Sequence, residues 1–411
     1  MKINNHKKGI VNKDEDLDTS EDVVRHLLII VVSLSYNVIV SVYNAFITSV
    51  HLIIFFHINL SQKHHITRLP NDPAMFNESQ YVVFYTEFVL LGFPGIVAYR
   101  KFLVIPFLSV YATILTGNSL IIYRICRERS LQSPMYILIS ILFTVNISCT
   151  TSIIPKLILG LSFNLNDITL AGCLVQMFYI YFMAIFESAI ILSMALDRYV
   201  AICRPLRYNE IMTKQTMVYL VIIGIARSTF FVSPMVILAS YVQYCKSNII
   251  LNFVCENMGL LSLACGDISK QQIVGLLVRI IISVLDFCLL LFSYSSILYT
   301  AMKIVSGKAR HKALHTCGMH LLVAMLIYTC AMVSSIMYRM HSLISYDVQN
   351  LFNAIYLMIP AMLNPFIYGL GVKEIRQSLM RSWKKRSLVL SSSMHGHINK
   401  TFVLRPSVDE K

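Results

Sequence analysis

Residues 194–208 read Met-Ala-Leu-Asp-Arg-Tyr-Val-Ala-Ile-Cys-Arg-Pro-Leu-Arg-Tyr, and the Asp197-Arg198-Tyr199 triplet sits at the end of an apolar run of membrane length. Charged residues in or at the edge of such a run are costly and mark function by default. Outward from this point the chain resolves into seven apolar runs, with limits near 102–123, 136–160, 173–197, 216–240, 272–299, 318–339 and 350–370. A helix rises 1.5 Å per residue, so each run is long enough to cross about 30 Å of hydrocarbon. Alternating strand patterns are absent, and only helices or closed barrels satisfy the backbone in lipid. The reading predicts an all-α membrane protein, a seven-transmembrane helix bundle.

Composition agrees. The 411 residues are 56% hydrophobic and only 14% charged, against about 25% charged in soluble domains. The net charge of +14 raises nucleic acid as a partner. The basic residues, however, fall in alternate loops and the tail: Arg124, Arg127 and Arg129; Arg204, Arg207 and Lys214; Lys303, Lys308, Arg310 and Lys312; and Lys373 through Arg386. That is the positive-inside pattern of a membrane protein, with these segments cytoplasmic, and it argues for a lipid bilayer and against nucleic acid. It places the N-terminus outside and the tail, 371–411, inside, with a short amphipathic helix expected in the tail.

Upstream of the bundle the chain is unusual. Residues 1–26 are hydrophilic, and 27–60 are apolar enough for a further span. Residues 1–74 are expected to be an upstream extension that precedes a start at Met75. A true eighth helix or a cleaved signal-like segment are the alternatives, the latter lacking a short basic leader. Residues 75–101 then form the outer N-terminus, where Asn77-Glu78-Ser79 offers a glycosylation sequon.

Four of the ten cysteines lie where an oxidising lumen reaches them: Cys173, Cys245, Cys255 and Cys265. An even count suggests two bridges, with three connectivities open. The others, Cys126, Cys149, Cys203, Cys288, Cys317 and Cys330, read as apolar filler. His311, His315 and Cys317 invite a metal, but no four-ligand set with zinc-like spacing accompanies them, and none is expected. Within the spans, Asn118, Asn146, Glu187 and Asn364 are expensive unless they face the bundle interior. Arg279 and Asp286 lie seven apart, two turns along one face, and read as an intramembrane pair or a lining of a binding site. No activated nucleophile, phosphate loop or cofactor fingerprint is present, so neither enzyme activity nor a cofactor is expected.

The stretch Met194-Ala195 before Asp197-Arg198-Tyr199, with Val200-Ala201-Ile202-Cys203 after it, resembles the end of the third helix of odorant receptors, a branch of the rhodopsin-like G-protein-coupled receptors. Other matches span roughly residues 75–385: Leu91-Gly92-Phe93-Pro94, Pro134-Met135-Tyr136, Ser293-Tyr294, Lys312-Ala313-Leu314-His315-Thr316-Cys317, and Pro360-Ala361-Met362-Leu363 before Asn364-Pro365-Phe366-Ile367-Tyr368. Asn146-Ile147-Ser148-Cys149 and Asn164-Leu165-Asn166 resemble the fish-type (class I) branch.

The resemblance implies a plasma-membrane chemoreceptor for small-molecule odorants, coupled to a stimulatory heterotrimeric G protein that raises cyclic AMP. It implies the pairs Cys173–Cys255 and Cys245–Cys265. Ligand-lining candidates by the same route are Tyr181, Ala184, Ile185, Tyr328 and Met332, with Glu256 and Asn257 in the loop; Arg279 joins them on its own charge and its place toward the outer half of the fifth span, where it could meet an anionic ligand. Asp197 is expected to hold Arg198 when idle, with Tyr199 in the same motif and Tyr294 and Tyr368 supporting the active form. Asn364 and Pro365 serve as hinge. The resemblance also gathers Asn118, Asn146, Glu187 and Asn364 around a polar cavity, where Asn146 replaces the family's usual Asp and leaves Glu187 as the one carboxylate for any sodium ion.

Two rivals stand beside this. A transporter would show repeated halves with broken helices, and no such repeat is visible. A non-olfactory rhodopsin-like receptor for an amine would carry an aspartate in 176–184, where there is none.

Overall fold

The computed structural model describes residues 84–303, 317–318, 321–331, 333 and 344–381. The extension 1–74, Asn77, Met332, His311, His315 and the tail beyond 381 lie outside the described residues.

Seven helical segments form the bundle: α1 Val104–Arg127, α2 Pro134–Phe163, α3 Leu170–Cys203, α4 Lys214–Ser240, α5 Ser269–Lys303, α6 Leu321–Ala331 and α7 Tyr346–Gly371. All but α6 are long and apolar enough to cross a membrane. α6 is described for eleven residues inside the expected sixth span. Residues 373–381 form a further short helix.

Local chemistry sets the ends. Pro134 takes the first position of α2, where its missing N–H costs nothing. The helix stops at Asn164, which adopts the left-handed conformation (φ 59°) that Asn tolerates as a C-cap. Thr169, Thr213 and Ser345 cap α3, α4 and α7 by accepting from Gly172, Thr216 and Val348 N–H groups. α3 does not end at the Asp-Arg-Tyr triplet but continues to Cys203. Its stop is Pro205, which pushes the preceding residue out of helical geometry.

α3 is the central helix, packing on α2, α4 and α5, while α7 packs on α1 and α2. The buried cluster they share includes Leu142, Phe143, Ile190, Met194, Val323 and Tyr368. Ile222, Phe230, Phe287 and Phe292 on α4 and α5 point outward, as apolar side chains do when the solvent is lipid. α1 and α7 meet closely at Gly117, where a Cβ would stand 3.2 Å from Pro365 Cβ; small residues permit such approaches.

One element departs from the all-helical reading. Three short strands, β1 Glu87–Leu90, β2 Asp167–Thr169 and β3 Ile249–Ile250, form a sheet of order β2-β1-β3. β1 runs antiparallel to β2 (Glu87 opposite Thr169) and parallel to β3 (Val89 opposite Ile249). At two to four residues, such strands show no two-residue period to read.

Candidate functional site

The sheet belongs to a lid over one end of the bundle. Cys173 at the start of α3 is bonded to Cys255 (Cα–Cα 5.3 Å), and Cys245 to Cys265 (Cα–Cα 5.7 Å). The Cys255 N–H donates to Gln176 Oε1 at 3.0 Å. Asn350 of α7 holds the same loop from the other side, accepting from Phe253 N–H at 3.2 Å and donating to Leu251 O at 3.1 Å. Glu256 fastens this lid to α3. Its carboxylate caps the one-turn helix Asn257–Leu261 through the Met258 and Gly259 N–H groups (2.9 and 3.1 Å) and accepts from the Tyr181 hydroxyl at 2.8 Å. Asn257 N–H donates to Tyr181 Oη at 3.3 Å. Burial pushes the Glu256 carboxyl up from the ordinary 4.5, a shift that its hydrogen bonds and Arg279 reduce without reversing.

Beneath the lid a small cavity of about 30 Å³ lies between α2, α3, α6 and α7. Cys149, Ala184, Glu187, Ile327 and Tyr356 line it. Of the expected ligand residues, the structure thus places Ala184 on the cavity and Tyr181, Glu256 and Asn257 together in the lid contact. Ile185 lies half-buried on α3 and is not on the cavity wall.

Tyr328 and Arg279 differ from expectation. The Tyr328 hydroxyl is committed to Asp286 Oδ2 at 2.8 Å. Asp286, fully buried, is not paired with Arg279; its partner is Arg227 of α4, whose Nη1 also donates to Ser188 Oγ at 3.3 Å. Arg279 instead points its Nη1 at Ala331 O, 3.5 Å away. Seven residues put Arg279 and Asp286 on one face but about 10 Å apart along the axis. Arg227, which reaches across from a neighbouring helix, wins the contact. The outcome is a polar cluster, Ser188, Arg227, Asp286 and Tyr328, joining α3, α4, α5 and α6.

The polar core is built from α1, α2 and α7. Asn146 donates to Asn118 Oδ1 at 3.1 Å, and Asn118 donates to Ile114 O and Ala361 O at 2.8 and 3.0 Å. Asn146 and Glu187 line the same cavity. Glu187 Oε1 and both amide atoms of Asn364 are buried without a described partner. One carboxylate and two or three amides make a thin donor set for a cation, and among the described residues lining the cavity there is no second carboxylate to replace the missing Asp.

At the opposite end, Arg198 bonds its neighbour Asp197 through Nε (3.0 Å) and Nη2. Asp197 is fully buried and accepts a third bond, 2.7 Å long, from the Tyr208 hydroxyl. Tyr208 opens the one-turn helix Tyr208–Ile211 in the loop after α3. Tyr199 packs its ring against Phe292, centroids 6.4 Å apart. The Tyr294 hydroxyl is buried without a described hydrogen-bond partner, and Tyr368 is edge-on to Phe143 with its hydroxyl toward Met194 Sδ at 3.9 Å. Asn364 and Pro365 lie inside an unbroken α7.

Three functional residues escaped the sequence reading: Arg227, Tyr208 and Asn350. Arg227 carried a usable signal, since a lone arginine in an apolar run needs a partner. Tyr208 and Asn350 carried none, because loop tyrosines and helix-end asparagines are common.

Known proteins now bear on this geometry. The olfactory receptor family profile matches residues 107–386. Human olfactory receptor 52K2 is 34% identical over 303 residues, covering 74% of this chain and 96% of its own. Human olfactory receptor 52B6 is 40% identical over 288 residues, covering 70% and 85%. The crystal structure of squid rhodopsin superposes with a TM-score of 0.56 at 15% identity, covering 70% of this chain and 86% of that one, a likeness of fold. With its multi-pass apolar helices, its disulfide-held lid and its buried Asp-Arg-Tyr contact, the chain belongs to the olfactory receptor family of rhodopsin-like G-protein-coupled receptors, non-enzymatic membrane proteins that take small-molecule ligands and act through G proteins.

Proposed function

We propose that this receptor takes a small organic molecule into the cavity beneath the lid and activates a stimulatory G protein, raising cyclic AMP. In this reading the lid end faces outside the plasma membrane and the Arg198 end faces the cytoplasm, which the distribution of basic loops supports. The receptor domain runs through 102–370, and residues 1–74 are dispensable for it.

The observation that carries the reading is the stacking of three polar sites along α3. Tyr181 meets the lid at one end, Ser188, next in sequence to the cavity-lining Glu187, joins the Arg227–Asp286–Tyr328 cluster, and Asp197 latches Arg198 at the far end. A ligand signals only if it favours one arrangement of the bundle over another. Ala184 and Ile327 on the cavity are each within four residues of the cluster, at Ser188 and Tyr328, so a bound molecule presses on residues adjacent to it. Shifting that cluster moves α6 relative to α3. Release of Arg198 from Asp197, which Tyr208 holds in place, then frees a cation for the G protein, with Tyr294 and Tyr368 as its new hydrogen-bonding supports.

The test is a cyclic AMP reporter assay in cells expressing the full chain, challenged with amino acids, short organic acids and volatile odorants, beside Arg198→Ala. A ligand response lost in Arg198→Ala at equal surface expression is expected. A response that persists in Arg198→Ala rejects the proposed role of Arg198.

A further inference from the structure

Among the described residues two that are not glycine hold a positive φ, Asn164 and Phe93. Asn tolerates that geometry; an aromatic residue keeps it only where its surroundings impose it. Phe93 (φ 56°) stands between β1 and the turn Pro94–Ile96, and it is fully buried. Its ring stacks on Phe253 of the lid loop, 5° from parallel with centroids 6.2 Å apart, and tilts against Phe107 of α1 at 5.9 Å. Both spacings are those of attractive aromatic pairs. Beside it, Gly92 meets the same loop so closely that a Cβ there would stand 2.8 Å from Phe253 Cβ.

This N-terminal segment and the lid share one support. Gly95 N–H donates to Asp347 Oδ1 at 3.1 Å, and Phe253 N–H donates to Asn350 Oδ1 at 3.2 Å. Asp347 and Asn350, three residues apart and both buried, are neighbours at the start of α7. Asn353, three further on, donates to Asn252 Oδ1 at 3.4 Å. Seven residues after Asn350 and Asn353, two turns down the same faces, Leu357 and Pro360 line the cavity. α7 thus runs from the anchor of the N-terminal segment, through the anchors of the lid, to the cavity wall. Just before Phe93, Leu91 N–H donates to Ile250 O at 2.8 Å, so the same segment is also sewn to the lid strand β3.

We propose that residues 87–96 form a strap that closes the outer mouth of the ligand cavity, with Phe93 as its clasp. Phe93 is a positioning residue: it acts through Phe253, whose loop carries Cys255 and Glu256. The closed strap stores the strain of Phe93, and opening lets that backbone relax, which offsets part of the cost of exposing the ring. The clasp is therefore poised to open rather than sealed. The inference rests on the cavity beneath the lid being the ligand site.

Cys149, a free cysteine on the cavity wall, reports whether the mouth is open. Cells displaying the full chain are treated briefly from outside with 2-aminoethyl methanethiosulfonate, which forms a mixed disulfide with a thiolate and releases methanesulfinate. Peptide mass spectrometry follows Cys149 apart from the other free cysteines. Wild type should label slowly. Phe93→Ala, which removes the ring, and Gly92→Ala, which pushes the strap off Phe253, should each label roughly tenfold faster at equal surface expression, because the free energy of local opening sets such rates. Asp347→Ala should label faster too, whereas Asp347→Asn, which keeps an oxygen for Gly95, should return the wild-type rate. Ile114→Ala loosens the buried face of α1 two turns beyond Phe107 and should leave the rate near that of wild type. Fast labelling of the wild type overturns the proposal, as do unchanged rates in Phe93→Ala and Gly92→Ala or an equal gain in Ile114→Ala. If neither strap variant reaches the surface, the Asp347 pair decides, and equal rates in its Ala and Asn forms overturn the clasp. The labelling uses no ligand and no G protein, so the strap can fail while the ligand reading stands, and the reporter assay can fail while the strap stands.

Discussion

Arg227 of α4 bonds the fully buried Asp286 of α5, and Tyr328 of α6 closes on the same carboxylate at 2.8 Å. Two ionised groups inside the apolar part of a bundle are tolerable only because each neutralises the other. Removing one partner strands the other, a loss of about 3–5 kcal/mol for buried pairs. Asp286→Ala and Arg227→Met should each collapse surface expression. The double variant Arg227→Met/Asp286→Leu should recover much of it, since an apolar pair of similar volume is often as stable. Flow cytometry of the four proteins decides. Additive losses in the double variant would show that the pair is not what holds these helices.

The Asp197 latch makes a different forecast, because it concerns the balance between states. Asp197 holds Arg198 directly and is itself held by Tyr208 at 2.7 Å. Asp197→Asn removes the charge and should raise ligand-free cyclic AMP several-fold. Tyr208→Phe removes one hydrogen bond to a charged acceptor, about 1.5–3 kcal/mol at most, and should raise it less. Basal reporter signal per receptor at the surface is the readout. Unchanged basal signal in both variants would mean that neither contact restrains the idle form.

These two sites also show where sequence stops being readable. Asp197 and Arg198 are chain neighbours, so their contact could be named from the motif alone. Asp286 had two arginines to choose from, Arg279 on its own helix and Arg227 on another. Only the packing of α4 against α5 selects the second. The seven spans were legible because twenty apolar residues leave few alternatives. The β1–β3 lid sheet was not, because its strands are too short to carry a pattern and are set by chain ends that the disulfides hold. Tyr328 was a ligand candidate through the resemblance; that its hydroxyl bonds Asp286 is set by packing that no local motif records.

Glu256 should make the lid sensitive to pH. Burial raises its carboxyl above 4.5, so ionisation costs more in the folded lid than in the unfolded chain. The sign follows. The stabilising difference is fully present while the group is protonated, below its unfolded value, and is lost as pH climbs through the raised folded value. Gln keeps an oxygen for Tyr181 but cannot ionise. Melting of wild type and Glu256→Gln across pH 4–8 should show the wild type losing ground as pH rises above about 4.5. A constant gap between the two across that range would mean that burial of this carboxyl does not govern the lid.

The two disulfides should differ in weight. Cys173–Cys255 spans 82 residues of sequence and ties α3 to the lid, whereas Cys245–Cys265 spans 20 and closes a loop on itself. In the chain-entropy account these closures contribute roughly 4.5 and 3.3 kcal/mol, because the longer loop has more freedom to lose. The longer bridge also fixes the backbone beside Glu256, which caps Asn257–Leu261 and meets Tyr181. Cys173→Ser/Cys255→Ser should therefore abolish both surface expression and any ligand response. Cys245→Ser/Cys265→Ser should lower expression while leaving a response in the molecules that arrive. Paired variants are needed so that no single thiol is left to form a wrong bridge. Equal losses from the two pairs would show that the lid depends on closing the loop at all rather than on where it is fastened.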